Sequence, residues 1–125
     1  MQFNYSDIFI AISTADIQIL VEFYSQILQI QPTIYRPSIY AEFQLEKLRL
    51  GIFKPKPENQ SEFDNYHSSM SLCLEVEDLE RAIACFSKMG CPPPGEIMET
   101  SHGREIYVYD PAGNRLILHQ SKPKS

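Results

Sequence analysis

One pattern occurs twice in this chain, at residues 10–17 and again at 72–79. Each copy runs from alternating apolar residues into an acidic residue, and from there into an amphipathic stretch. Tyr24 follows Asp16 at the same offset at which Phe86 follows Asp78. A repeat constrains the fold strongly, because each copy must be one supersecondary unit built on the same plan.

The elements can be read off each copy. Ile8, Ile10 and Ile12 alternate with Phe9, Ala11 and Ser13, which predicts a strand over 8–14. Asp16 is placed to cap the helix that follows. Leu20, Phe23, Tyr24, Ile27 and Leu28 recur at helical spacing as one apolar stripe, and Pro32 is expected to end that region. Three short strands are predicted at 33–36, 39–45 and 48–53, with turns at Pro37-Ser38 and Glu46-Lys47. Residues 54–69 are poor in apolar side chains and hold Pro55, Pro57, Asn59, Gln60 and His67, so they read as an exposed linker. The second copy then repeats the programme: a strand over 70–76, Asp78 as cap, and a stripe of Leu79, Ala82, Ile83, Phe86 and Met89. Gly90 suits the left-handed position after the helix. Cys91 to Gly95 form a stiff proline connector. Strands follow at 96–100, 104–109 and 115–120. Asp110 to Asn114 form the last turn, where proline fixes φ and Gly or Asn accepts positive φ.

The fold class implied is α+β. Two βαβββ modules, 7–53 and 70–120, form a curved eight-stranded mixed sheet around a cleft, with the helices outside and the whole of 1–125 as a single domain. Ile10, Ile12, Leu72 and Leu74 are expected to face the helices. Phe9, Ala11, Ser13, Ser71, Cys73 and Glu75 are expected to face the cleft. A slip of one residue would exchange the two faces.

Composition limits the partners. The chain has 125 residues, enough for one domain with a core of its own. Its apolar fraction of 43% and charged fraction of 22% are those of a globular protein. A net charge of −5 and scattered basic residues argue against nucleic acid. No apolar run approaches the roughly 20 residues needed to span a bilayer, and the first residues lack a signal-peptide pattern. A cytoplasmic location is the resulting expectation. Cys73, Cys85 and Cys91 are odd in number and lack CxxC spacing, which argues against disulfides or zinc. Cys85 is expected to be a small buried residue on its helix.

Three segments carry a resemblance: Ile10 to Tyr24 with its Phe23-Tyr24 pair, His102-Gly103-Arg104, and Asp110 to Leu118. With the repeat, they make the chain resemble the vicinal oxygen chelate superfamily, which includes glyoxalase I, extradiol dioxygenases, fosfomycin resistance enzymes and bleomycin resistance proteins. The resemblance implies a divalent metal held by four side chains, two from each half. Those positions fall on Phe9, Gly51, Ser71 and Ile117, with Gly51 following if Arg49-Leu50 aligns with Arg115-Leu116. Three of the four have no donor atom, and a serine hydroxyl is a poor ligand beside imidazole or carboxylate. No metal and no cofactor are therefore expected.

The function implied is that of the metal-free, bleomycin resistance-like members: a small organic ligand gripped in a cleft, in a homodimer. Alternation lines that cleft with Phe9, Phe43, Arg49, Phe53, Glu75, Glu105, Tyr107, Tyr109 and His119, an aromatic wall with a few convergent polar groups. The alternative is an enzyme of the superfamily, a lyase, isomerase or dioxygenase. It would need an unconventional metal site at His119, Glu75 and Glu105, or acid–base chemistry by Glu75 or Glu105.

Overall fold

In each half of the chain, the first strand pairs in parallel with the last. A computed structural model describes residues 4, 6–64 and 68–123. Two compact units divide the chain, Met1–Asp64 and Asn65–Ser125. The first contains β1 (Ile10–Ser13), α1 (Ile17–Leu28), β2 (Ile34–Arg36), β3 (Tyr40–Gln44) and β4 (Arg49–Phe53). The second contains β5 (Leu72–Glu75), α2 (Leu79–Lys88), β6 (Met98–Thr100), β7 (Gly103–Tyr109) and β8 (Arg115–Ser121). The eight strands fall into two four-stranded mixed sheets, ordered β1-β4-β3-β2 and β5-β8-β7-β6. Parallel neighbours cannot be joined by a tight turn. In each unit the helix and the two middle strands provide the long connection.

Register sets the faces. Ile10 pairs with Leu50 and Ile12 with Ile52, while Ala41 and Phe43 on β3 pair with Ile52 and Leu50. This face is closed by α1, whose Ile17, Leu20, Val21, Phe23 and Tyr24 are buried. In the second unit, Leu72 and Leu74 pair with Leu116 and Leu118, which also meet Val108 and Ile106 on β7. Leu79 and Phe86 of α2 are buried with them. Each fully buried Leu, Ile, Val or Phe among them contributes about 1.5–3 kcal/mol by leaving water. Tyr24 and Phe86, matched by the repeat, are both buried, at 1% and 2% exposure.

Both helices start as expected. The Asp16 carboxylate accepts the Ile19 N–H at 3.3 Å, and Asp78 accepts that of Arg81 at 3.0 Å. At the end of α2, Gly90 takes φ +84°, and the Cys91 N–H closes on the Phe86 carbonyl at 2.9 Å. A further tie holds the start of α2 to the sheet. Gln120 accepts the Leu79 N–H at 2.9 Å and an Arg104 N–H at 2.8 Å, while Arg104 also donates to both oxygens of Glu80. Those bonds hold the Glu80 carboxyl down at about 2.

The structure corrects several expectations. Phe43 does not line the open face: it is fully buried and shares the helix-side face with Leu50. Alternation along the sequence puts Phe43 on the cleft side, but the phase of β3 is fixed by pairing with β4, where Phe43 meets Leu50. Cys85 is exposed, because it lies off the Leu79–Phe86 stripe and one residue before Phe86. Helix α1 ends at Leu28, before Pro32, because Gln29 turns left-handed at φ 57°. The 54–69 segment contains a 3-10 helix at Pro57–Glu62, and His67 lies outside the described residues.

The His102-Gly103-Arg104 motif has a steric basis. Gly103 opens β7 at φ +154°, and a Cβ there would stand 2.0 Å from the Gln120 carbonyl oxygen of β8. Even the smallest side chain would force these paired strands away from each other. Gly103→Ala is expected to cost about 1–3 kcal/mol, whereas Gly95→Ala, with nothing within 4 Å, is expected to be near neutral. Urea unfolding followed by circular dichroism compares the two, and equal midpoints would refute the steric account.

Candidate functional site

Each sheet has a second face, opposite its helix, and most of the candidate site residues stand there. In the first unit, this open face follows from register: Gly51 lies between Ala11 and Glu42, and Phe53 between Ser13 and Tyr40. Arg49 lies in the same row as Gln44. Its guanidinium stacks on the Phe9 ring at 4.5 Å, pairs with Glu42 at 3.1 Å and also bonds Asp7. Glu42 is buried at 7% exposure and accepts the Tyr40 hydroxyl at 2.8 Å. Burial, and then the hydrogen bond and negative charge of Glu42, push the Tyr40 phenol up to about 12. Phe53 meets Phe63 edge-on, with ring centres 5.0 Å apart.

The second unit repeats the layout with different chemistry. Leu72 pairs with Leu116 as Ile10 pairs with Leu50, so Arg115 corresponds to Arg49, Ile117 to Gly51 and His119 to Phe53. The alignment assumed from sequence therefore holds. Arg115 donates from Nε to the Ser71 hydroxyl at 2.6 Å, bonds the Ser68 carbonyl, and lies 6.0 Å from the Tyr107 ring centre. Ile117 sits between Cys73 and Tyr107. In the next row, Glu75, His119, Glu105 and Met98 cross the four strands in line. Glu75 meets His119 Nδ1 at 2.8 Å and accepts the Ser121 N–H at 2.8 Å and its hydroxyl at 2.9 Å. The bonds from His119 and Ser121 hold the Glu75 carboxyl below its ordinary range. Desolvation, and then the charges of Glu105 and Glu75, push the Cys73 thiol up, which makes it a weak nucleophile.

An open groove of about 560 Å³ runs beside this face, walled by residues 94–98 together with Ile106, Tyr107 and Tyr109. Glu75, Glu105, Tyr107, Tyr109 and His119 thus share one face of the second unit. Phe9, Arg49 and Phe53 share one face of the first. Tyr40, Glu42, Asp7, Phe63, Ser121 and Met98 join them without having been singled out in the sequence. Strict alternation from Leu50 and Ile52 through β3 would have found Tyr40 and Glu42, because 40 and 42 must oppose 41 and 43.

The four positions at which a chelating relative would place metal ligands do not fit a divalent ion. The Phe9 ring is covered by Arg49, and the Ser71 oxygen is taken by Arg115. A Cβ on Gly51 would stand 2.8 Å from the Tyr40 hydroxyl, and Ile117 has no donor atom. Among the described residues, no three His, Cys, Asp or Glu side chains group as a metal site requires.

Tyr40 titration follows from this geometry. A phenol held at about 12 in the fold and near 10 when unfolded favours folding while neutral. Its contribution is complete below pH 10 and is lost as pH rises toward 12. Glu42→Gln is expected to bring the phenol down toward 10, measured by ultraviolet phenolate absorbance. An unchanged titration would refute the pairing.

Residues 8–118 match the family model described as the Glyoxalase/Bleomycin resistance protein/Dioxygenase superfamily. No curated protein matches the chain. Among solved structures, the chain is similar to a glyoxalase/bleomycin resistance protein from Catenulispora acidiphila, at 24% identity, TM-score 0.61, covering 93% of this chain and 98% of that one. It is also similar to the bleomycin-binding protein of Streptomyces verticillus, solved with copper(II)-bleomycin, at 21% identity, TM-score 0.63, covering 97% and 100%. A third is the fosfomycin resistance protein FosX of Listeria monocytogenes, solved as its E126Q mutant with Mn(II) and a dihydroxypropylphosphonic acid. It matches at 14% identity, TM-score 0.75, covering 95% and 93%.

Proposed function

Because the chain belongs to the Glyoxalase/Bleomycin resistance protein/Dioxygenase superfamily, we propose that it binds a small organic ligand against an aromatic sheet face, without a metal. The observation that carries this reading is the groove beside Tyr107 and Tyr109, whose volume of about 560 Å³ lies in the range of small-molecule sites. Tyrosine rings offer flat contact area, and their hydroxyls offer a hydrogen bond. The metal-free reading is supported by the commitments of Phe9, Gly51 and Ser71 to side-chain neighbours and by the aliphatic Ile117. Grip then comes from stacking and shape, with Arg115, Glu105 and His119 as polar groups near the rings.

The bleomycin-binding neighbour is a precedent for an organic ligand on this fold. The same proposal includes a homodimer in the cytoplasm. No described helix is long and apolar enough to cross a membrane. Sedimentation equilibrium checks the dimer, with an expected mass of twice 14.4 kDa; a single-chain mass would refute it.

A thermal-shift screen against antibiotics and cell metabolites tests the binding. A ligand present at a hundred times its Kd stabilises the native state by about 2.7 kcal/mol, a shift of several degrees for a chain of this size. The shift is expected to persist in a strong chelator and to fall with Tyr107→Ala, whose affinity is expected to drop at least tenfold. A shift that vanishes with chelator, or stoichiometric metal in the purified protein, would overturn the metal-free reading.

A further inference from the structure

We infer that His119 is the hydrogen-bond acceptor for the ligand in the second unit, with Glu75 as its positioning residue, and that the ligand is a flat organic molecule carrying an O–H or N–H donor. This deepens the proposed function and rests on it.

Both Glu75 oxygens are engaged by its neighbours, one by His119 Nδ1 at 2.8 Å and the other by the N–H and hydroxyl of Ser121. A carboxylate held ionised can only accept, so Nδ1 of a neutral His119 must carry the proton. That fixes the tautomer and leaves a lone pair on Nε2. No described residue is hydrogen-bonded to Nε2.

The two nitrogens lie on different edges of the ring, so with Nδ1 bonded to Glu75 of β5 the Nε2 edge is free of that bond. Strand β8 lies between β5 and β7, and Glu105 on β7 is in register with His119 on that other side. Glu105 is itself in register with Met98, which walls the groove. With strands spaced about 4.8 Å apart, the distance from Met98 to His119 is about 10 Å, within the span of a drug-sized molecule. Tyr107 stands one row away on the same face. A molecule lying on Tyr107 and reaching across that row would meet two acceptors, Nε2 and the Glu105 carboxylate. Such a pair selects a donor, and it repels an anion with no proton to give.

Phenol and anisole, alike in shape but differing in the hydroxyl proton, serve as probes. Nitrogen-15 NMR of histidine-labelled protein, above the imidazole titration range, reads the tautomer and the state of Nε2 directly. The wild-type protein is expected to show protonated Nδ1 and bare Nε2 at His119. Phenol is expected to shift Nε2 and anisole to leave it unmoved. Glu75→Gln is expected to mix the tautomers and weaken phenol binding at least tenfold, and His119→Gln to abolish the discrimination. Protonated Nε2 in the wild type, no response to phenol, or an equal response to both probes would each overturn the inference. If the thermal-shift screen yields a ligand while Nε2 stays silent, this assignment fails and the broader binding reading stands.

Discussion

Parallel pairing between the first and last strand of each unit is the constraint on which the rest depends. It brings Ile10 beside Leu50 and Leu72 beside Leu116, and so decides which side chains meet the helix. Once those pairs are set, the antiparallel partners β3 and β7 have no freedom of phase, because moving one residue would bring charge into the core. The open faces are a by-product of that choice. Glu42, Arg49, Glu75 and His119 stand on open faces because the apolar residues between them had to face the other way.

Two copies of one layout have diverged by exchanging chemistry at fixed register. Arg49 and Arg115 stand at equivalent places, and each reaches the residue one step before its first strand, Phe9 in one unit and Ser71 in the other. One stacks and the other donates, because the neighbour is a ring in one case and a hydroxyl in the other. Across the sheet, Tyr40 and Glu42 of the first unit correspond to Glu105 and Tyr107 of the second, so tyrosine and glutamate have traded rows. In the first unit the carboxylate lies inward and is neutralised by Arg49. In the second it stands beside His119. The first carboxylate is thereby bonded to a phenol and a guanidinium, while His119 in the second unit bonds Glu75.

Much of this was legible in the residues, for identifiable reasons. Period-2 alternation, two aspartate caps and a Pro-Gly turn are local signals with local causes, and they placed the strands and helices within a few residues. The repeat extended those signals to the whole chain, and the match over residues 8–118 bears out the family resemblance. What the sequence lacked was phase between strands. Phe43 read as a ligand wall by alternation, yet the phase of its strand is decided by Leu50 on the next one. Cys85 read as buried because cysteines usually are, yet a helix buries by angle and the stripe passes beside it. Ser121 and Asp7 carry no motif at all. Their roles come from backbone geometry that brings a hydroxyl to Glu75 and a carboxylate to Arg49.

The contact between Tyr40 and Gly51 has a consequence for substitution at that place. A Cβ there would stand 2.8 Å from the phenol oxygen, the far end of a side chain that also bonds Glu42. A larger residue at 51 would therefore push that oxygen aside, and the cost would fall on its bond to the buried carboxylate.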